Sequence, residues 1–207
     1  MATRVFEMLG NRLPVGFCAV LAMLVAGCAS QPQIINAIIA VNKAFQVEYE
    51  EILAKDGSRV FPVKRAEAYD AVRVSMARLR MTVEAQDPAL GYVNVFASAP
   101  LPLTAEEWRE AAAADLPRMR DLVRPYAPLE SLFINFEPEG LQSVVRGTVV
   151  EVPSGTEISF TAQMRETAPP KSGFPRREYL PPTAVRMALK KMWAEVEREV
   201  RATYRRP

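Results

Sequence analysis

The sequence predicts an α+β fold, in which a largely antiparallel sheet of five to six strands is covered on one face by helices and preceded by an N-terminal amphipathic helix. Apolar residues recur at helical spacing in four segments. Other segments alternate apolar and polar residues between turn residues, which is typical of strands. The chain has 207 residues, of which 49% are hydrophobic and 24% charged, as expected for one globular domain.

The predicted elements begin with a helix over residues 32–55, whose first residue, Pro32, suits a helix start. A single α+β domain then extends over residues 58–207. Its parts are a strand, a helix and a hairpin over 59–97, a helix at 104–124, a meander at 129–166, a loop at 168–182 and a helix at 183–204.

Local signals support the middle of this order. Thr104 and Glu107 form a capping box, in which each side chain bonds to a free amide of the other residue at a helix start. Three strands follow in the meander, and turns at Pro138–Gly140 and Pro153–Thr156 separate them. We expect these strands at Leu129–Phe136, Leu141–Val152 and Glu157–Met164.

Helix 32–55 has two interpretations. Its apolar residues could rest on a lipid surface, or they could pack on the core of the domain. The other side of the helix carries Glu48, Glu50 and Glu51, which an anionic membrane would repel. This charge favours packing on the domain.

The first 27 residues resemble an export signal. Arg4 and Arg12 precede an uncharged apolar run, Phe17–Ala26, of about ten residues. A transmembrane helix needs about 20 such residues, so this run is too short to cross a bilayer. It ends in the sequence Leu24-Val25-Ala26-Gly27-Cys28.

This ending is similar to the lipobox of bacterial lipoprotein precursors, in which an aliphatic residue and two small residues precede a cysteine. The resemblance covers the leader alone. It implies a signal peptide at 1–27, cleavage between Gly27 and Cys28, diacylglyceryl and N-acyl groups (palmitate among them) on Cys28, and a lipidated tether at 28–31. Ala29 is not the aspartate associated with inner-membrane retention. The expected location is therefore the periplasmic face of the outer membrane, or the outer face of the cell membrane where there is only one.

The residue inventory limits the chemistry of the mature chain. Histidine is absent, and Cys18 would leave with the leader. We expect no enzymatic activity, no metal and no cofactor, because the carboxylate pairs Glu106/Glu107 and Glu50/Glu51 are explained by their positions at a helix start and on a helix face. A net charge of +2 with interspersed signs argues against nucleic acid as a partner.

The candidate partner surface is the proline-rich loop 168–182, with Phe174, Arg176, Arg177 and Tyr179. Aromatic and arginine side chains are enriched at binding hot spots, although the segment could also be a simple linker. The leading hypothesis is a membrane-anchored envelope lipoprotein that acts as a non-enzymatic binding or assembly-accessory module for a protein or glycan. The alternative is a carrier or sensor that holds an apolar ligand between sheet and helices, in a cavity of a few hundred Å³.

Overall fold

The computed structural model describes residues 30–168 and 178–204. Five helices and six strands lie in these two ranges. The helices are α1 (Gln31–Asp56), α2 (Arg65–Arg78), α3 (Ala105–Val123), α4 (Pro128–Leu132) and α5 (Pro182–Tyr204). The strands are β1 (Ser58–Phe61), β2 (Thr82–Asp87), β3 (Tyr92–Ser98), β4 (Leu141–Val152), β5 (Gly155–Glu166) and β6 (Glu178–Tyr179).

All neighbouring strands of the sheet are antiparallel, and five of them follow the order β1-β5-β4-β3-β2. The two-residue strand β6 pairs with β5 at Met164 and Arg165, beyond the residues that pair with β1. The hairpin β4–β5 is paired over its full length, from Leu141↔Glu166 to Val152↔Gly155. The turn before β3 needs Gly91, because its φ is +69° and a Cβ would lie 2.1 Å from the carbonyl oxygen of Val149.

One face of the sheet forms the core together with α2 and α5. Alternate residues of β3, β4 and β5 point inward, as the period of a strand requires, and they are almost fully buried. Trp193 of α5 is 1% exposed, with its ring 4.7 Å from that of Phe160 on β5. Its indole nitrogen donates a hydrogen bond of 2.7 Å to the carbonyl oxygen of Asp56, which ties α5 to the end of α1.

The helix α5 also connects the helices α1 and α3 to the core. It contacts α1, α2 and α3, and it lies against the inner face of β5. Trp108 at the start of α3 joins a second apolar cluster with Met164 and Ala188, and its ring lies 4.9 Å from that of Phe136. The helices are therefore stacked on one side of the sheet, and α5 is central to that layer.

The structure confirms the predicted α+β fold, with helices on one face of a largely antiparallel sheet and a helix before it. The capping box at Thr104 is formed: the Glu107 amide donates to Thr104 Oγ1 at 3.2 Å, and the Thr104 amide donates to Glu107 Oε2 at 2.7 Å. The prediction of β4 has the same bounds as the strand, and β5 extends two residues beyond its predicted range at each end.

The predicted first strand of the meander, Leu129–Phe136, is wrong. Residues Pro128–Leu132 form the short helix α4, and residues 134–138 form no strand. Proline at the first helical position has the backbone angle that a helix needs, and the Ser131 hydroxyl donates to the Pro128 carbonyl at 2.7 Å. The side chains of Leu129, Leu132 and Phe133 are exposed, so no strand-like burial opposes the helix. The meander is therefore the single hairpin β4–β5, next to β3.

Candidate functional site

The face of the sheet opposite the helices is open. Arg146, Thr148 and Val150 of the middle strand β4 point to this side and are exposed. Arg146 lies at the centre, because its cross-strand partners are Asn94 of β3 and Thr161 of β5. An antiparallel sheet commonly has one such solvated face.

A polar network occupies one end of this open face. Glu84 of β2 accepts a hydrogen bond of 2.6 Å from the amide nitrogen of Asn94 and forms an ion pair of 3.1 Å with Arg165 of β5. The Nε of Arg165 donates in turn to Gln142 of β4 at 2.8 Å. The irregularity between Val83 and Ala85 places an extra residue opposite Asn94. The network therefore links four strands through side chains alone.

Two polar groups beside this network have capacity for another partner. The Oδ1 atom of Asn94 is buried and accepts no hydrogen bond from the described residues. Arg146, directly across from it, forms no ion pair with any carboxylate in the ranges 30–168 and 178–204. Its charge acts on Tyr49 of α1, whose hydroxyl bonds to Ala162 and Thr161; burial raises the pKa of Tyr49, and these bonds and the Arg146 charge lower it by less. A guanidinium with five donors at the centre of an exposed face is suited to bind a carboxylate, phosphate or carbonyl group, to which it donates hydrogen bonds.

The candidate loop begins and ends at the same strand. Thr167 follows β5 and bonds to the Gly140 carbonyl through its amide (2.9 Å) and its hydroxyl (3.0 Å). The chain returns as β6, which pairs with Met164 and Arg165. Phe174, Arg176 and Arg177 lie outside the described residues, as do Gly27 and Cys28; for Tyr179 only the backbone is described. The structure therefore places the two ends of the loop beside Arg165 of the open face and does not test its side chains.

The carboxylate pairs Glu106/Glu107 and Glu50/Glu51 lie at a helix start and on a helix face, as the sequence predicts. Glu107 caps α3 and also accepts a hydrogen bond of 2.6 Å from Lys191, which holds the pKa of that carboxyl below its usual value. Glu106 lies in the first turn of the same helix, and Glu50 and Glu51 lie on the exposed side of α1. No group of three potential metal ligands is found within the described part of the chain.

A buried carboxyl, Asp115 of α3, was not singled out from the sequence. It accepts hydrogen bonds from the amide (3.1 Å) and the hydroxyl (2.5 Å) of Thr183 and so caps the start of α5 from a neighbouring helix. Burial raises the pKa of Asp115 more than the bonds to Thr183 and the charge of Arg186 lower it. Asp115 lies 68 positions before Thr183 in the sequence, so no local pattern indicates this contact. It arises only because α3 packs on α5.

We expect the pH dependence of stability to change in Asp115→Asn. A carboxyl with a raised pKa contributes stability that is fully present below its unfolded value of 3.8 and is lost as the pH rises through the folded value. The variant lacks this ionisation. The variant should be less stable than the unchanged protein, because its bonds to Thr183 are altered. The difference in the free energy of unfolding between the two proteins should be largest near pH 3 and become smaller toward about pH 7. Urea unfolding across this range measures it.

The matched control is Asp121→Asn, on the exposed side of the same helix. This variant should retain the pH profile of the unchanged protein, since its side chain is 65% exposed and its ion pair with Arg124 contributes little. If the free energy of unfolding changed with pH in the same way for the unchanged protein and for Asp115→Asn, burial of Asp115 would not govern its ionisation.

The space between the sheet and the helices α3 and α5 is nearly filled. The cavity lined by Leu103, Trp108, Val145 and Ala188 measures about 30 Å³, which is room for about one water molecule. A lipid-like ligand requires a cavity at least ten times larger, as a rough guide. A second space of about 320 Å³ lies between α1 and β5, with Asn42, Gln46 and Gln163 beside Phe45, Tyr49 and Leu180 in its lining, so the carrier or sensor interpretation stays a prediction.

Comparison of the chain with models of protein families, with curated proteins and with solved structures gives no match. In the described ranges no helix combines the length and the apolar character needed to cross a membrane. Three features of this chain itself therefore bear on its function: the motif that ends at Cys28, the open sheet face with Arg146, and the exposed surface of α1.

Proposed function

We propose that this chain is a lipid-anchored envelope protein whose α+β domain acts as a non-enzymatic binding or assembly-accessory module. The observation that carries the proposal is the Leu24–Cys28 motif at the end of an apolar run, two residues before the first described residue, Ser30. The helix α1 begins at Gln31, so the domain follows the anchor almost directly. Several acyl chains on one cysteine suffice for stable attachment to a bilayer.

The location follows from the same residues. After cleavage before Cys28, Ala29 would be the second residue of the mature chain, and this favours the outer membrane in a cell with two membranes. The domain would then face the periplasm, with a protein or a glycan of the envelope as its partner. Acylation is measured directly as the increase in mass of the peptide that begins at Cys28.

The open sheet face is the surface that we propose for this partner. It offers Arg146 at its centre and the buried Oδ1 of Asn94 beside it. The ends of loop 168–182, with its aromatic and arginine residues, lie at the border of this face beside Arg165. Arginine and aromatic residues together are typical of binding hot spots.

We expect Arg146→Glu to weaken partner binding at least tenfold, because it reverses the charge at the centre of the face. The experiment is affinity purification of the full-length lipidated protein from crosslinked membranes, with quantification of each envelope protein and glycan fragment recovered. The fold should be retained, since the side chain is exposed.

The control is Arg73→Glu on α2, where the side chain is 51% exposed and, among the residues that the structure describes, pairs only with Asp70 three residues before it. This variant should recover the partner at the level of the unchanged protein. Equal recovery by Arg146→Glu, or recovery of bulk lipid alone by the unchanged protein, would contradict the proposed binding face.

A further inference from the structure

The apolar stripe of α1 extends beyond the core on which the helix packs. Ile34, Ile38, Phe45 and Ile52 lie on one stripe, because they are separated by four, seven and seven residues. Phe45 and Ile52 are buried at 6% and 4% exposure, whereas Ile34 and Ile38 are 42% and 40% exposed. The C-terminal half of α1 therefore covers the domain, whereas the same face of its N-terminal half is only partly covered by the described residues.

The exposed half of α1 also lacks charge. The sequence from Ala29 to Asn42 contains no acidic or basic residue, and Lys43 is the first. Ile35 and Ile39 add two further exposed isoleucines on the adjoining side of the helix. A soluble helix normally presents polar residues on such a surface.

A second exposed apolar group lies beside the first. Leu129, Leu132 and Phe133, in and after α4, are exposed, and Phe133 reaches 81%. Both groups border one small cluster, in which Ala37 of α1 packs with Val123 and Ala127, and Ile134 packs against it. We call the seven exposed side chains the apolar tip: Ile34, Ile35, Ile38, Ile39, Leu129, Leu132 and Phe133.

Two charged residues, Glu130 and Lys43, lie close to the apolar tip in the sequence. Glu130 is the charged residue of α4, and its Oε2 atom is buried rather than directed to solvent. Lys43, which is exposed, lies one helical turn after Ile39. A cation at the border of an apolar patch is suited to the phosphates of lipid headgroups.

We infer that the apolar tip inserts into the headgroup and upper acyl region of the membrane that holds the lipid on Cys28. This inference rests on the proposed function, because the anchor supplies the geometry. Only five residues lie between Cys28 and Ile34, so even an extended connection keeps Ile34 within about 20 Å of the anchored sulfur. A patch of this kind on a protein held at a bilayer is covered at little cost by lipid.

A second copy of the chain or another protein could also cover exposed apolar residues. The membrane is the favoured occupant because the tip lies at the end of the domain from which the anchor extends, and because the uncharged segment of α1 begins right after that anchor. A protein partner would require no such proximity.

The test uses thiol labelling of the full lipidated protein in vesicles. Once Cys28 carries lipid and Cys18 has left with the leader, a cysteine introduced elsewhere is the single free thiol. Phe133→Cys places an environment-sensitive fluorophore in the tip, and Leu90→Cys places it in the turn between β2 and β3, on a leucine that is 75% exposed. The vesicles contain phosphatidylethanolamine and phosphatidylglycerol, with or without a fraction of spin-labelled lipid.

We expect the probe at position 133 to show blue-shifted emission and at least twofold quenching by spin-labelled lipid, while the probe at position 90 shows neither. Equal, water-like emission at both positions would overturn the inference. So would a blue shift at position 133 without quenching, because it would mean that protein covers the tip. Mass measurement of the same sample separates the two proposals: absence of lipid on Cys28 contradicts the anchor, whereas a lipidated protein with an unquenched probe contradicts only the insertion.

Discussion

Replacement of Cys28 by alanine is expected to abolish acylation completely. The thiol is the acceptor of the diacylglyceryl group in the proposed processing, and alanine offers no nucleophile in its place. Cleavage before residue 28 follows the acylation, so the variant should accumulate with the 27-residue leader still attached. Incorporation of labelled palmitate and the mass of the purified chain measure the two steps.

The chain contains its own control for this experiment. Cys18 lies inside the apolar run of the leader, and its replacement by alanine should leave both acylation and cleavage unchanged. A Cys28→Ala precursor that is processed and membrane-bound to the same extent as the unchanged protein would refute the lipobox assignment. Loss of label in both variants would instead indicate a general defect of export.

Replacement of Trp193 by alanine is expected to have the largest effect on stability. The side chain is 1% exposed and packs between Phe160 of β5 and Phe61 of β1, with ring centroids 4.7 and 6.2 Å away. Removing so large a buried side chain usually lowers the free energy of unfolding by about 3–5 kcal/mol. Urea unfolding of the lipidated protein in detergent, followed by far-ultraviolet circular dichroism, measures the loss.

The conservative variant Trp193→Phe separates packing from hydrogen bonding. It retains an aromatic ring between Phe61 and Phe160 but cannot donate to the carbonyl of Asp56. The expected loss is smaller, about 1–3 kcal/mol, for one unsatisfied buried acceptor and some lost volume. A loss below about 1 kcal/mol for Trp193→Ala would mean that α5 does not hold the layers together as its contacts indicate.

Elements with a clear local pattern could be predicted from the sequence. The strands β4 and β5 have inward-facing apolar residues at every second position and turn residues between them, and the prediction agrees with the structure. The segment Leu129–Phe136 is mostly apolar, but its apolar residues follow neither helical nor strand spacing. Its secondary structure therefore depends on the elements that pack beside it. The segment forms a short helix and an irregular stretch, and β3 occupies the position beside β4 that the predicted meander gave to it.

Contacts between distant elements could not be predicted. The apolar stripe of α1 is visible in the sequence, but only the structure shows that the main core includes Tyr49 and Ile52 of this helix and leaves Ile34 and Ile38 exposed. The two interpretations of this helix are therefore not exclusive, because each half has its own surroundings. Likewise, the position of Arg146 at the centre of the open face follows from the strand order, which makes β4 the middle strand and which no local pattern of the sequence determines.

The position of α5 in the chain has a consequence for the time at which the domain can fold. Every strand of the sheet precedes this helix, yet Leu189, Met192, Trp193 and Val196 fill the space above the inner face. A chain that emerges from a ribosome or an export channel with its N-terminus first therefore cannot close its core until the last helix is free. Until then the inner strands expose their apolar residues. The chain should therefore remain unfolded while it crosses the membrane, and it should require chaperones until its last helix has emerged.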